Sequence, residues 1–412
     1  FFYFIYIIFH DIRRNSKHGK CENCNENNTQ PAWCLTCDPD IIAQGWTSRN
    51  KDVDDCIRKF QLRANKYEDA IEWIPFDGLF DVKEIGKGGF GSVYSATWLD
   101  GIRNIDHNKN RARETSSTVA LKTLSSTKEN NFDFLKEFKN HVQCINWGSK
   151  LKIYGLTQNT ETNEYLMVLQ YADKGNLHKF LKTSFRELKW ELKLKQLKEI
   201  SYDLYQIHRA GYVHADFHSG NILQNQYSEK NIQSYVADLG LSKKKDEQKL
   251  NDEIYGVMPY VAPEVLLGGK FTQAADIYSF GVIMAEMSTG KRPFDEQEFG
   301  AKLAVRICKG ERPEFAPGTP EFYVELAKKC MDSDPQKRPS AWDVYYKISV
   351  WFEDKNKIRG QFLDADKVIK TLPINSPSHP DHMYTSKLIS TKLILNAIKE
   401  VDSTQIKLDI SK

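Results

Sequence analysis

The sequence predicts an α+β protein: a β-rich stretch, then a mainly helical one, preceded by a small cysteine-bearing head. Three observations carry this expectation. The runs SVYSATWL at 92–99, VALK at 119–122 and YLMVL at 165–169 are rich in β-branched and aromatic residues and read as strands. Trp190, Leu194, Leu197, Ile200, Leu204 and Ile207 recur at helical spacing and read as a buried stripe. Two C-x2-C pairs, Cys21 with Cys24 and Cys34 with Cys37, fall in a polar, Asn-rich segment too poor in apolar residues for a core of its own.

Composition narrows the field. The 412 residues are 40% hydrophobic, 27% charged and 12% aromatic, which excludes disordered, collagen-like and polytopic membrane chains. Fifty-eight basic residues against 55 acidic ones leave +3, so no nucleic-acid partner is expected. Phe1 to Phe9 is an apolar run, but a bilayer-spanning helix needs about 20 such residues. The run also lacks the basic lead-in of a secretory signal. No membrane association is expected, and a cytoplasmic protein is the reading. Because the first residue is Phe, the chain reads as a fragment or an imperfect gene model.

The expected division is an N-terminal segment (1–20), a four-cysteine zinc-type module (21–38), a linker with a helix (39–75), one large domain (76–352) and a tail (353–412). Ile57, Phe60, Leu62, Ala64, Tyr67, Ile71 and Ile74 predict a helix within 52–74, ending before Pro75. In the tail, 373–380 reads as a loop and Ser386 to Val401 as a short helix.

Nine residues separate the two C-x2-C pairs, and each pair can supply two thiolates to one side of a tetrahedral ion. A structural Zn2+ on Cys21, Cys24, Cys34 and Cys37 would stabilise a segment that burial alone cannot fold, and would serve binding or folding, not chemistry. Two disulfides or four idle thiols are the alternatives. Cys56, Cys144, Cys308 and Cys330 stand singly and read as buried thiols.

The chemistry lies in the large domain. IGKGGFGSV at 85–93 places Gly86, Gly88 and Gly91 in G-x-G-x-x-G spacing, with Gly89 between them and Ile85 and Val93 flanking. Such glycines let backbone N–H groups approach phosphate oxygens. A dinucleotide-binding turn has the same spelling but opens a helix. Here the β-rich run at 92–99 follows, and Lys122 then closes the VALK strand, a cation suited to nucleotide phosphates.

With these residues the sequence resembles the eukaryotic protein kinases, and the later elements keep that family's order. VHADFHSGNIL at 213–223 resembles the catalytic loop, with Asp216 and Asn221. Asp238-Leu239-Gly240 stands in the DFG position, Ala262-Pro263-Glu264 in the APE position, and Asp276 and Arg338 match further landmarks. The resemblance implies a bilobal protein kinase fold over 76–352, ATP and Mg2+ as cofactors, and protein substrates. It implies that Lys122 holds the ATP phosphates and that Glu137 orients it, with Glu129 as second candidate. Asp238 and Asn221 would bind magnesium, and Asp216 would act as base. Ile85, Gly86, Gly88, Gly89, Gly91, Val93, Ala120 and Leu223 would contact ATP. A hinge at 170–175 would follow a gatekeeper Leu169, with Gln170 and Ala172 bonding adenine through their backbones.

Some positions depart from the pattern. Ala215 replaces the usual arginine, which implies less dependence on loop phosphorylation. Leu239, His218 and Val257 also depart, and EFYVELAKKCMDSDPQKRPS is similar to the tyrosine-kinase-like group. The cysteine pairs, an EWIPF lead-in and this loop together resemble expanded kinase families of arbuscular mycorrhizal fungi. Serine/threonine specificity is expected, with tyrosine or dual specificity open. The alternative is a pseudokinase, an ATP-binding scaffold. Ser242 and Tyr255 could be phosphorylated, and Lys243, Lys244, Lys245 and Lys249 read as a solvated loop or a site for acidic substrates. A protein partner could use the four-cysteine module or the tail.

Overall fold

The computed structural model describes residues 14–88, 91–124, 134–228, 231–244, 253–354, 357–371 and 379–410. Gly89, Glu129, Lys245 and Lys249 lie outside them, as does most of the expected 373–380 loop. The chain divides into two compact units, Phe1–Val142 with Lys152–Tyr171, and Gln143–Leu151 with Ala172–Lys412.

In the first unit, helices α1 (Asp38–Ile42) and α2 (Lys51–Gln61) precede the strands β1 (Glu72–Trp73), β2 (Leu79–Gly88), β3 (Gly91–Trp98), β4 (Arg103–Ile105), β5 (Arg111–Arg113) and β6 (Ser117–Thr123). Helix α3 (Phe134–Asn146) and strands β7 (Ile153–Gln158) and β8 (Tyr165–Gln170) follow. Six strands form one sheet in the order β1-β7-β8-β6-β3-β2, while β4 and β5 make a separate hairpin. All three runs expected as strands are strands of this sheet. Their inward residues, among them Trp98, Val119, Leu121 and Val168, form its core.

The helix expected within 52–74 is shorter. Asn50 starts α2 by accepting the amides of Asp52 and Val53, and the helix ends at Gln61. Gln61 Nε2 donates to the Ile71 carbonyl at 2.8 Å. Ile71 and Ile74 are buried by strand pairing instead: β1 runs parallel to β7, with Glu72 opposite Gly155. A Cβ at Gly155 would lie 1.9 Å from the Glu72 carbonyl oxygen, so only glycine admits this approach. The apolar spacing past Gln61 reflected two different burial modes and not one helical face.

The second unit holds α4 (Leu177–Ser184), α5 (Trp190–Arg209), β9 (Tyr212–Val213), β10 (Ile222–Ser228), β11 (Asn231–Val236), β12 (Lys243–Lys244) and β13 (Glu253–Gly256). Then come α6 (Pro263–Leu266), α7 (Gln273–Thr289), α8 (Ala301–Cys308), α9 (Glu321–Cys330), α10 (Ala341–Glu353) and α11 (Lys357–Ile369). The tail ends in β14 (Lys387–Ser390) and α12 (Thr391–Ile410). The stripe from Trp190 to Ile207 is core, and α7 is buried all round.

Four expectations change here. The tail helix begins at Thr391, because Lys387–Ser390 pairs as a strand with β13. Lys243 and Lys244 are not loop: they pair with Val213 and Tyr212. Ser242 is fully buried, its hydroxyl donating to the Leu239 carbonyl at 2.6 Å, whereas Tyr255 is exposed. Cys56, Cys144 and Cys330 are buried, but Cys308 is only half-buried.

Lys193 on α5 is the outlier of this core. It is 0% exposed, its Nζ finds no hydrogen-bond partner among the described residues, and it sits 3.9 Å from the Phe185 ring centre. Burial lowers its pKa from 10.5 to about 7. Above about pH 7 the unfolded lysine therefore binds a proton that the folded one does not, so stability rises with pH up to about 10.5. A pKa displaced by one pH unit corresponds to about 1.4 kcal/mol. Lys193→Met is expected to raise the melting temperature, with a gain that is largest near pH 7 and shrinks towards pH 10, read by scanning calorimetry at both pH values.

Candidate functional site

In the first unit, β6 places Lys122 at the centre of the sheet, opposite Val93 on β3 and Met167 on β8. Its Nζ donates to Glu137 Oε1 at 2.6 Å, and both side chains are about nine-tenths buried. Leu135 and Phe138 fix the buried face of α3 that turns Glu137 inward. The pair named from sequence is thus assembled; Glu129 lies outside the described residues. A cation held in this way is committed to one place and orientation, which suits a fixed anionic ligand.

The glycine run closes the β2–β3 hairpin, Gly88 opposite Gly91. Gly91 has φ 130° and no room for a Cβ, which would meet Thr123 Oγ1 at 2.3 Å; Gly86 has open space around it. Ile85 is exposed, Ala120 and Leu169 are buried and Val93 is half-buried, all on the strands of this sheet. Gln170 ends β8, its amide donating to the Lys152 carbonyl at 2.9 Å.

The head gathers its four cysteines. The sulfur atoms of Cys21, Cys24, Cys34 and Cys37 all lie within 4.8 Å of one another, and Cys24 and Cys34 are 3.8 Å apart. A tetrahedron with metal–sulfur bonds of about 2.3 Å has edges of about 3.8 Å. The Glu26 N–H bonds the Cys24 sulfur and brings its pKa down to about 7, towards the thiolate. This cluster could hold a metal ion.

In the second unit, the residues 213–223 turn around one buried carboxylate. Asp276 on α7 accepts the amides of His214 (2.8 Å) and Ala215 (3.0 Å), and lies 2.9 Å from His208 Nε2. Ala215 is held at φ 65°, the left-handed region that a non-glycine residue rarely adopts. The next residue, Asp216, is 6% exposed; its amide donates to His214 Nδ1, and His214 Nε2 donates to the Ala237 carbonyl at 3.0 Å. Burial lowers the His214 pKa, so the ring is neutral, as those two bonds require.

The β10–β11 hairpin brings the remaining groups together. Ile222 stands opposite Val236, so Asn221 and Ala237 share one end, joined by the Ala237 amide to the Asn221 carbonyl at 2.8 Å. Asp238 follows at φ 64°, its Oδ1 accepting the Gly240 amide at 3.2 Å. Asn221 Nδ2 donates to the Asp216 carbonyl (3.0 Å) and to Asp216 Oδ2 (3.3 Å). That commits the amide nitrogen and leaves the amide oxygen to face a cation. An Asn oxygen with the Asp238 carboxylate is a donor set for a hard divalent ion such as magnesium. Asp216 Oδ1 is buried with no hydrogen-bond partner among the described residues. Leu223 lies on β10, and residues 174–175 bond to that strand through Gln224.

The protein tyrosine and serine/threonine kinase family matches residues 80–348. The chain belongs to this family. It is 29% identical over 307 residues to a Dictyostelium discoideum protein described as a probable serine/threonine-protein kinase, covering 71% of this chain and 16% of that one. Similarity to Cyclic GMP-binding protein C of the same organism is 29% over 333 residues, covering 73% and 11%. Another D. discoideum protein described as a probable serine/threonine-protein kinase is 26% identical over 287 residues, covering 68% and 29%. The chain thus spans less than a third of the length of these relatives.

Within this kinase domain, sequence reasoning named Glu264 and Arg338 as landmarks but did not pair them. They form a two-pronged bridge, Nη1 to Oε1 and Nη2 to Oε2, both 2.7 Å. It also gave Asp276 no task. A lone carboxylate beside the apolar run IYSFGVIMAEM was the available signal, because a buried charge must be bonded. No described helix is long and apolar enough to cross a membrane.

The Arg338 side chain is fully buried, whereas that of Glu264 is 22% exposed. Removal of one partner should therefore be asymmetric. Glu264→Ala leaves a buried guanidinium short of its counter-charge and is expected to cost about 3–5 kcal/mol. Arg338→Met leaves a carboxylate that reaches water and should cost less. Urea denaturation of the two variants checks the order.

Proposed function

We infer that the chain is an active ATP- and Mg2+-dependent protein kinase, acting on serine and threonine hydroxyls of protein substrates and belonging to the tyrosine-kinase-like group. One observation carries this reading: the Asn221 side-chain nitrogen is spent on Asp216, which leaves its amide oxygen for a cation. A pseudokinase would rest on Ala215 alone, and Ala215 takes part here through its backbone amide, which any side chain leaves in place.

In this reading ATP with magnesium supplies the γ-phosphoryl group and the cation that neutralises it. Asp238 and Asn221 would hold the metal. Lys122, kept in place by Glu137, meets the phosphates. Asp216 positions the acceptor hydroxyl and takes its proton at a carboxylate oxygen. For the nucleotide we retain the residues that the sequence nominates, Ile85, Gly86, Gly88, Gly89, Gly91, Val93, Ala120, Leu169 and Gln170 of the first unit, and Ala172 and Leu223 of the second. Residues 76–352 are taken as the catalytic domain.

The head is read as a structural zinc site, supported by the 3.8 Å sulfur separation and by four sulfur atoms that all lie within 4.8 Å of one another. Thiolate ligation of this kind suits a reducing compartment such as the cytoplasm. The head's outer surface is the place we assign to a protein partner.

Full-length protein incubated with ATP, Mg2+ and a mixed peptide library should incorporate phosphate on serine and threonine, identified by phosphoamino-acid analysis. Asp216→Asn and Asp238→Ala should lower the rate by at least about 10²-fold. Incorporation no higher than in those variants overturns the reading. Elemental analysis should find one zinc per chain, lost in Cys21→Ser and Cys34→Ser; metal-free parent protein ends the zinc assignment.

A further inference from the structure

The sequence offered no reason to connect the tail with Asp216, yet the two meet in the second unit. Ser386 Oγ donates to Asp216 Oδ2 at 2.6 Å. The residues after it form β14, which adds to β13 in antiparallel register: Lys387 opposite Gly256, Leu388 opposite Tyr255, Ile389 opposite Ile254 and Ser390 opposite Glu253. Gly256 explains the encounter, since a Cβ there would stand 4.0 Å from Asp216 Oδ1. The strand end that pairs with Lys387 therefore borders the carboxylate, and the residue before Lys387 arrives on it.

The segment is anchored on both sides. Upstream, Tyr384 is 3% exposed, donates to the Pro293 carbonyl at 3.1 Å and lies under Arg292, whose guanidinium carbon is 4.2 Å from the ring centre. Downstream, Ile389 and Ile394 enter the main core. A short extended segment held by strand addition, with one hydroxyl delivered to a buried carboxylate, has the form of a bound peptide acceptor.

We propose that Ser386 is an intramolecular phosphorylation site, presented to Asp216 by strand addition of its own tail. The proposal rests on the kinase reading, which supplies ATP. In the step, the Ser386 hydroxyl proton passes to Asp216 and Ser386 Oγ forms a bond to the γ-phosphorus. The bond from that phosphorus to the bridging oxygen breaks, and its electron pair leaves with ADP. The product carries about −1.5 to −2 charges against the Asp216 carboxylate, and this repulsion favours departure of the strand. Until then the tail competes with other acceptors at the effective concentration of a tethered peptide, of order mM. Acceptors from other proteins should be strand-forming, with the hydroxyl just before the paired residues and an apolar residue three positions after it, as Ile389 is after Ser386.

The test uses full-length protein, first treated with phosphatase, then given ATP and Mg2+ with and without a generic peptide mixture. Phosphosites are mapped by mass spectrometry over a tenfold range of protein concentration. Ser386 should be modified with a first-order rate that does not change with concentration. Ile389→Asp, which undocks the strand, should slow Ser386 modification and raise initial peptide phosphorylation by about tenfold. Peptide phosphorylation without Ser386 modification, or a Ser386 rate that rises with protein concentration, overturns the proposal and leaves the kinase reading intact. No transfer to either acceptor removes the kinase reading and the acceptor role with it. Hydrogen exchange gives a readout free of activity: the ladder-bonded amides, alternate ones within 253–256 and 387–390, should be protected in the parent and exchange faster in Ile389→Asp, and their lack of protection in the parent overturns the docking.

Discussion

A single buried carboxylate, that of Asp276, holds the 213–223 segment in shape. It is 2% exposed on a helix buried all round, an environment in which an unpaired charge is costly. Two backbone amides and His208 surround it. Charge-assisted bonds contribute about 1.5–3 kcal/mol each. The left-handed backbone of Ala215 costs roughly 1–2 kcal/mol. The bonds outweigh the strain, so the turn that carries Asp216 persists without a glycine.

From that turn the order passes outward through backbone groups. His214, neutral because it is buried, bridges the Asp216 amide and the Ala237 carbonyl. Ala237 in turn bonds Asn221 across the end of the β10–β11 hairpin. Three candidate site residues spread over 216–238 are thus placed by main-chain groups and one histidine. The frame therefore rests largely on main-chain bonds, and Asp216 Oδ1 has no hydrogen-bond partner among the described residues. The substitution Ala215 is compatible with this logic, since only its amide is used.

The fold class and the candidate site were legible because chemistry restricts such residues to few types at fixed spacing. Lys122 with Glu137 was readable for a further reason: the apolar neighbours Leu135 and Phe138 disclose which face of α3 is buried. What stayed hidden depended on partners far away in sequence. Arg338 and Glu264 are 74 residues apart, and nothing local marks either as half of a bridge. The strand Lys387–Ser390 is four residues long and followed directly by a helix, so periodicity favoured extending that helix backwards. Only the edge of β13 decides otherwise, because its amides and carbonyls need partners. Ile71 and Ile74 misled for the same reason, their burial being set by β7 and Gly155.

The segment read as a linker from its sequence has a structural task in the first unit. Phe60 of α2 packs edge-on against Phe138, with ring centres 5.8 Å apart, beside the residue that turns Glu137 towards Lys122. Asn50, the cap of α2, donates to the Tyr165 hydroxyl at 2.9 Å on β8. The cysteine head is tied in as well. Asp38 Oδ2 accepts the Cys34 amide at 2.6 Å and pairs with Arg111 of β5 at 2.6 Å. One carboxylate therefore shapes the second cysteine turn and fastens it to the β4–β5 hairpin. Since a buried ion pair depends on the rigidity of what holds it, the head and α2 belong to the support of the Lys122–Glu137 pair. Loss of the head's fold should then be felt at Lys122 through Phe60 and α3.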